Sequence, residues 1–183
     1  MMNTNSVYGL GPVEERIEAH TLAILVDNEP GVLAKVIGLF SGRGYNIESL
    51  TVAETDHDKN LSRITIVCSG TALVIEQIKN QLGRIVPVRD VHDLTIEGAH
   101  FSRELALIRV SGKGDHRIEA LRIADIFRAR VVDSTLQSFL FEVTGTTEKV
   151  DAFIDLMRPL GIEDISRTGV AAMSRGVVSE DSQ

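Results

Sequence analysis

DNEPGVLAKVIGLFSGRGYNIESL, residues 27–50, decides how the rest of the chain reads. Ahead of it an apolar run, Leu22 to Val26, stops at a turn that holds Asn28, Pro30 and Gly31. Val32, Leu33, Val36, Ile37, Leu39 and Phe40 then recur at helical spacing, which puts an apolar stripe on a helix over 31–41. Gly42 and Gly44 end that helix. Asn46 to Glu54 reads as a second strand. The stretch is therefore strand, tight turn, helix, strand, with a helix N-terminus opening at the turn.

Such a turn suits an anion, because the first amides of a helix lack partners and the aligned peptide dipoles favour negative charge there. Pro30 fits the first helical turn, where its missing N–H is no loss. Gly31 allows close approach to the backbone. Asn28 adds a side-chain oxygen and an NH2 group at the same place. A free amino acid matches this set, with a carboxylate for the amides and an ammonium for an amide oxygen. The plainer reading is a capped turn in which Asn28 only bonds backbone.

Outward from this stretch, His20 to Asp27 is the first strand, and residues 1–19 are a polar arm with helical tendency over 13–19. Residues 55–60, TDHDKN, form a hairpin loop. Its Asp56, His57 and Asp58 read as a solvated loop rather than a metal site. Leu61 to Ser69 alternates Ile64, Ile66 and Cys68 against Arg63, Thr65 and Val67, a strand with two distinct faces. A helix from Thr71 carries Val74, Ile75, Ile78 and Leu82 on one side, and Ile85 to Ile96 is a fourth strand. The order is βαββαβ.

After a connector over 98–103 the order repeats. A strand spans 104–110, a helix 118–127, and paired strands 130–133 and 136–144 follow. A helix over 146–157 and a closing strand over 162–171 complete the unit. Ser69-Gly70-Thr71 and Thr144-Gly145-Thr146 open corresponding helices in the two halves. The expected fold class is α+β, two ferredoxin-like units, over 20–97 and 104–175, with a polar tail over 176–183. A four-stranded sheet with both helices on one face leaves its other face or an edge free, so dimerisation is expected.

The balance of 19 basic and 26 acidic residues gives a net charge of −7 and no evident basic face, which argues against nucleic acid as a partner. Aromatic residues are 4% and Trp is absent, so base-stacking platforms are not expected. One cysteine, Cys68, cannot build a disulfide framework or a zinc site within one chain, and its apolar strand marks it as buried. The five histidines are scattered without metal spacing. Gly112-Lys113-Gly114 is half of a dinucleotide fingerprint, but Arg117 stands where a third glycine is needed. Arg122, Arg128 and Arg130 form a local basic group or simply a solvated face. No catalytic constellation emerges. No apolar stretch reaches the length of a membrane span, and residues 1–20 lack an apolar signal core, so a soluble, cytoplasmic protein is expected.

The first unit resembles an ACT domain, a small ligand-binding module of amino-acid metabolism. More closely, NEPGVLAKVIGLFSGRGYNIESLTV over 28–52 resembles the small regulatory subunits of acetolactate synthase (acetohydroxyacid synthase). LSRITIV over 61–67, LVIEQIKNQL over 73–82, GAHFSREL over 98–105 and the closing RTGVAAMSRG extend the likeness across residues 20–176. The resemblance implies a non-catalytic chain. It would activate a catalytic subunit that carries thiamine diphosphate, Mg2+ and FAD, and confer feedback inhibition by valine in branched-chain amino-acid synthesis. It further implies a homodimer through ACT domains, with the effector at their interface. Asn28, Gly31, Val32 and Leu33 would come from one protomer, with Asn46 and Ile47 across the interface. The alternative is a free-standing ACT-type amino-acid sensor acting on a different enzyme.

Overall fold

The computed structural model describes residues 16–176. The first unit runs β1 (Glu18–Asp27), α1 (Val32–Gly42), β2 (Ser49–Asp56), β3 (Leu61–Gly70), α2 (Ala72–Leu82) and β4 (Val88–Asp93). Its sheet is ordered β2-β3-β1-β4, antiparallel at each junction. The alternation along β1 and β3 has a direct physical result. Leu22, Ile24, Val26, Ile64, Ile66 and Cys68 all face α1 and α2, where Val36, Phe40, Ile78 and Leu82 complete a core with no exposed surface. Each such aliphatic side chain contributes about 1.5–3 kcal/mol by leaving water.

The second unit runs β5 (His100–Ser111), α3 (Asp115–Phe127), β6 (Arg130–Ser134), β7 (Ser138–Gly145) and α4 (Thr147–Met157). A 3-10 turn (Arg158–Leu160), β8 (Ile162–Arg167) and β9 (Ala171–Ser174) follow. Its path is β6-β7-β5-β8, with β9 on β5. Ala106, Ile108, Phe141, Val143, Val150 and Phe153 form its core, and Phe141 meets Phe153 edge to face at 6.1 Å. The two Ser/Thr-Gly-Thr signals act as helix starts: Thr71 accepts from the Val74 amide and Thr146 from the Lys149 amide, each at 3.4 Å.

Several local expectations shift. β2 begins at Ser49, not Asn46, because pairing with β3 starts only where Ser49 meets Val67. Residues 45–47 are an irregular lead-in and Glu48 is a bend. The strand read over 85–96 shortens to Val88–Asp93. The residues read as a connector, 98–103, are mostly strand, since β5 starts at His100 and its first four residues pair with β9. The closing strand read over 162–171 is two strands, broken at Thr168–Val170 with Gly169 at φ 83. Glu18 and Ala19, placed in the helical end of the arm, belong to β1. The rest of that helical reading below residue 16, and the tail beyond residue 176, lie outside the described residues.

The open face of the first sheet is not all free. Val170 and Ala172 settle on Ala23, Val67 and Leu94, and Thr65, on that same face, is 3% exposed. The second unit covers part of the surface that a lone ferredoxin-like sheet would leave open.

Candidate functional site

The turn after β1 is built by four backbone bonds. The amide of Asp27 donates to the Pro87 carbonyl at 2.8 Å, Asn28 to Asn60 at 2.8 Å, Glu29 to Asp27 at 2.8 Å, and Val32 to Glu29 at 3.2 Å. The last closes a type II β-turn over 29–32, with Pro30 first of its two central residues and Gly31 second at φ 84 and ψ −1. That geometry requires φ > 0, which is why glycine stands there. Pro30 therefore precedes the helix instead of opening it, and Gly31 is the N-cap.

No side chain caps α1. The Val32 amide is taken up by Glu29 and its side chain is buried. The amides of Gly31, Leu33 and Ala34 find no acceptor among the described residues. The space before Gly31 is empty to 4 Å from where a Cβ would stand. The exposed Asn28 side chain bonds no backbone among the described residues, unlike the plain capped turn. Asp27 is held by Arg89, Nε to Oδ1, at 2.5 Å.

Asn46 and Ile47 lie in the lead-in to β2. Asn46 is exposed, Ile47 packs on the core, and the next amide, Glu48, donates to Val67 at 2.8 Å. The fold sets them beyond the far end of α1 from Asn28 and Gly31, an 11-residue helix of about 16 Å. One chain thus brings Asn28, Gly31, Val32 and Leu33 together and holds Asn46 and Ile47 apart from them. Sequence reasoning missed Asn60, which carries the Asn28 turn from the hairpin. Its one signal was an asparagine closing a tight polar loop, where the structure gives it φ 53.

The one thiol and its polar neighbours His20 and Asp93 are buried. Cys68 is fully buried; burial first, then the charges of Asp93 and Glu48, push its thiol up to about 11. It stands opposite His20 on β1, and His20 Nδ1 meets Asp93 at 2.7 Å. The three resemble a cysteine–histidine–aspartate set, but no hydrogen bond joins Cys68 to His20 and no surface of the thiol is exposed. Arg122 and Arg130 pair with Glu119 and Glu142 at 3.3 and 3.6 Å. Among the described residues no helix is long and apolar enough to cross a membrane.

Comparison with known proteins agrees across both units. Residues 22–90 match the family described as AHAS small subunit-like ACT domain, and residues 103–176 the family described as small subunit of acetolactate synthase. The chain is 51% identical over 157 residues to a probable acetolactate synthase small subunit of Archaeoglobus fulgidus, covering 86% of this chain and 97% of that protein. It is 46% identical over 156 residues to the acetolactate synthase isozyme 3 small subunit of Escherichia coli, covering 85% and 94%. The crystal structure of the Thermotoga maritima acetolactate synthase small subunit superposes with a TM-score of 0.79 at 39% identity, over 88% of this chain and 99% of that one. The chain therefore belongs to the family of acetolactate synthase small subunits, regulatory chains whose N-terminal unit is an ACT domain.

Proposed function

We propose that this chain activates the catalytic subunit of acetolactate synthase and makes it sensitive to feedback inhibition by valine, while carrying out no chemistry itself. On this reading thiamine diphosphate, Mg2+ and FAD belong to the catalytic subunit, and the assembly works in the cytoplasm. The observation that carries the effector assignment is the set of unpartnered amides at Leu33 and Ala34 beside a free Asn28 side chain, with open space before Gly31.

Dimerisation supplies the remainder of the site. β2 is an edge strand, and Val52 on it is 42% exposed. Antiparallel pairing of β2 with its copy about a two-fold axis brings the start of one strand toward the end of the other. The β1–α1 turn lies at the hairpin end of β2, and Asn46 at the opposite end. The same operation carries the partner subunit's Asn46 and Ile47 toward Asn28, which two residues held apart within one chain require.

The valine carboxylate accepts from the amides, each charge-assisted bond contributing about 1.5–3 kcal/mol. The ammonium meets the asparagine oxygens. The isopropyl group adds about 1.5–3 kcal/mol by burial. Micromolar affinity needs about 8 kcal/mol, more than any one term provides. Inhibition follows only if valine binds the less active arrangement better; a coupling of about 1–3 kcal/mol gives about 5–150-fold modulation. The test is an acetolactate assay of the catalytic subunit with and without this chain, titrating valine, leucine and isoleucine. Activation with no response to any of the three would overturn the effector assignment and leave the subunit assignment standing.

A further inference from the structure

Ser49 is the first residue of β2, three positions after Asn46. Its Oγ accepts the amide of Val170 at 2.8 Å, across the two units. Gly169, just before, lies against the same strand. A Cβ there would stand 2.9 Å from Ser49 Oγ, 3.0 Å from Thr51 Oγ1 and 3.2 Å from the Leu50 carbonyl, and its φ of +83 already excludes most side chains. The segment 168–170 is moulded onto β2. On its other side Thr168 is fastened to β5: its amide donates to the Leu105 carbonyl at 3.0 Å and its Oγ1 accepts from the Leu105 amide at 3.1 Å. Arg167, one residue earlier, is locked to buried Glu104 and to Asp151. A cleft of about 440 Å³ opens beside this contact, between Glu48–Leu50 and Arg167–Val170.

We infer that Ser49 is a positioning residue that transmits effector occupancy from the β2 lead-in to the second unit, through its hydrogen bond to the Val170 amide. The inference rests on the effector reading above. The path is short and stiff. Only Ile47 and Glu48 separate Asn46 from Ser49. Ile47 is gripped by the core and Glu48 by Val67 on the way. A ligand that pulls on Asn46 therefore moves the hydroxyl that seats Val170. The 168–170 segment cannot absorb that movement by itself, because Thr168 is anchored to β5 and the Val170 side chain is buried among Ala23, Leu94 and Ala172. Asn46, Ser49 and Val170 thus lie on one contiguous route between the units.

The experiment compares valine binding to the full-length small subunit, by calorimetry, with valine inhibition of the reconstituted holoenzyme. In Ser49→Ala the binding constant should stay within about twofold, while the inhibition constant rises about 5–10-fold, as expected for loss of one hydrogen bond in the coupled state. Ser49→Thr, which keeps the acceptor, should restore inhibition. Gly169→Ala, which lifts the segment off β2 from the other side, should separate the two readouts in the same direction. Thermal melting of each variant shows that it is folded. Equal shifts in binding and inhibition, or no shift in either, would overturn the role of Ser49 and leave the effector site intact. Failure of the unmodified subunit to bind valine would remove the effector reading and this inference with it.

Discussion

Asn28 and Asn60 hold each other by two hydrogen bonds. The Asn28 amide donates to the Asn60 carbonyl at 2.8 Å, and the Asn60 side-chain amide donates back to the Asn28 carbonyl at 3.3 Å. Asn60 does this at φ 53, a left-handed conformation that asparagine tolerates better than most residues. The turn that offers free amides is thus fastened to the β2–β3 hairpin. Asn60→Ala should lower the unfolding free energy by about 2 kcal/mol, from one lost hydrogen bond and backbone strain, and weaken valine inhibition. Asn60→Gly should recover the strain component alone. Urea melts and the acetolactate assay check both.

Gly31→Asp should abolish valine inhibition and leave activation intact. On the proposed reading it sets a carboxylate against that of the effector, at a φ of 84 that side chains resist. Asn28→Ala and Asn46→Ala should each weaken valine binding by about 1–2 kcal/mol. Both side chains are exposed and free of partners among the described residues, so neither change should lower the melting temperature. Undiminished inhibition in all three variants would dismiss the site.

Arg167 pairs with Glu104, which is 5% exposed. Arg167→Ala leaves that carboxylate buried without its cation and should destabilise the second unit by about 3 kcal/mol. The double variant Glu104→Leu with Arg167→Met removes both charges and should recover most of the loss. Thermal denaturation followed by circular dichroism distinguishes the two, and equal losses would show that the pair is not an electrostatic unit.

Cys68 should resist thiol reagents at pH 8 in the folded chain and react fully after denaturation, since burial pushes its thiol up to about 11. Rapid labelling of folded protein would contradict the packing described for β3.

His92 lies between Asp90 at 2.8 Å and Glu97 at 2.7 Å. Burial pulls its pKa down, but the hydrogen bonds and charges of Glu97 and Asp90 together outweigh that and raise it above 6.5. Protonation is then favoured in the folded state. The stabilisation is whole below pH 6.5 and is lost as pH rises through the raised value. The melting temperature of the native chain should fall over that window, and more shallowly in His92→Gln. The effect is small, because the ring is about half exposed and solvent screens it.

The repeated βαββαβ order was legible because its signals are local: alternation along Ile64, Ile66 and Cys68, helical spacing over Val150, Phe153, Ile154 and Met157, and Thr71 and Thr146 at helix starts. The contacts between units were not. Nothing in the run from Gly98 to Arg103 distinguishes a linker from a strand until β9, some 70 residues later, comes to pair with it. Pro30 reads as part of the first helical turn although the helix begins two residues later, because Pro-Gly fits both a helix start and a type II turn, and the Val32–Glu29 bond decides between them. Asn28 and Gly31 stand out through their residue types, whereas Asn46 enters only through the family resemblance. Asn60 and Ser49 matter through partners distant in sequence, which no spacing rule encodes.

β5 pairs with β9 over its first four residues and with β7 and β8 over the remainder. It is thus a splice more than a hinge, one unbroken strand shared by two sets of neighbours. Proteases should accordingly find no soft point to cut between residues 100 and 111.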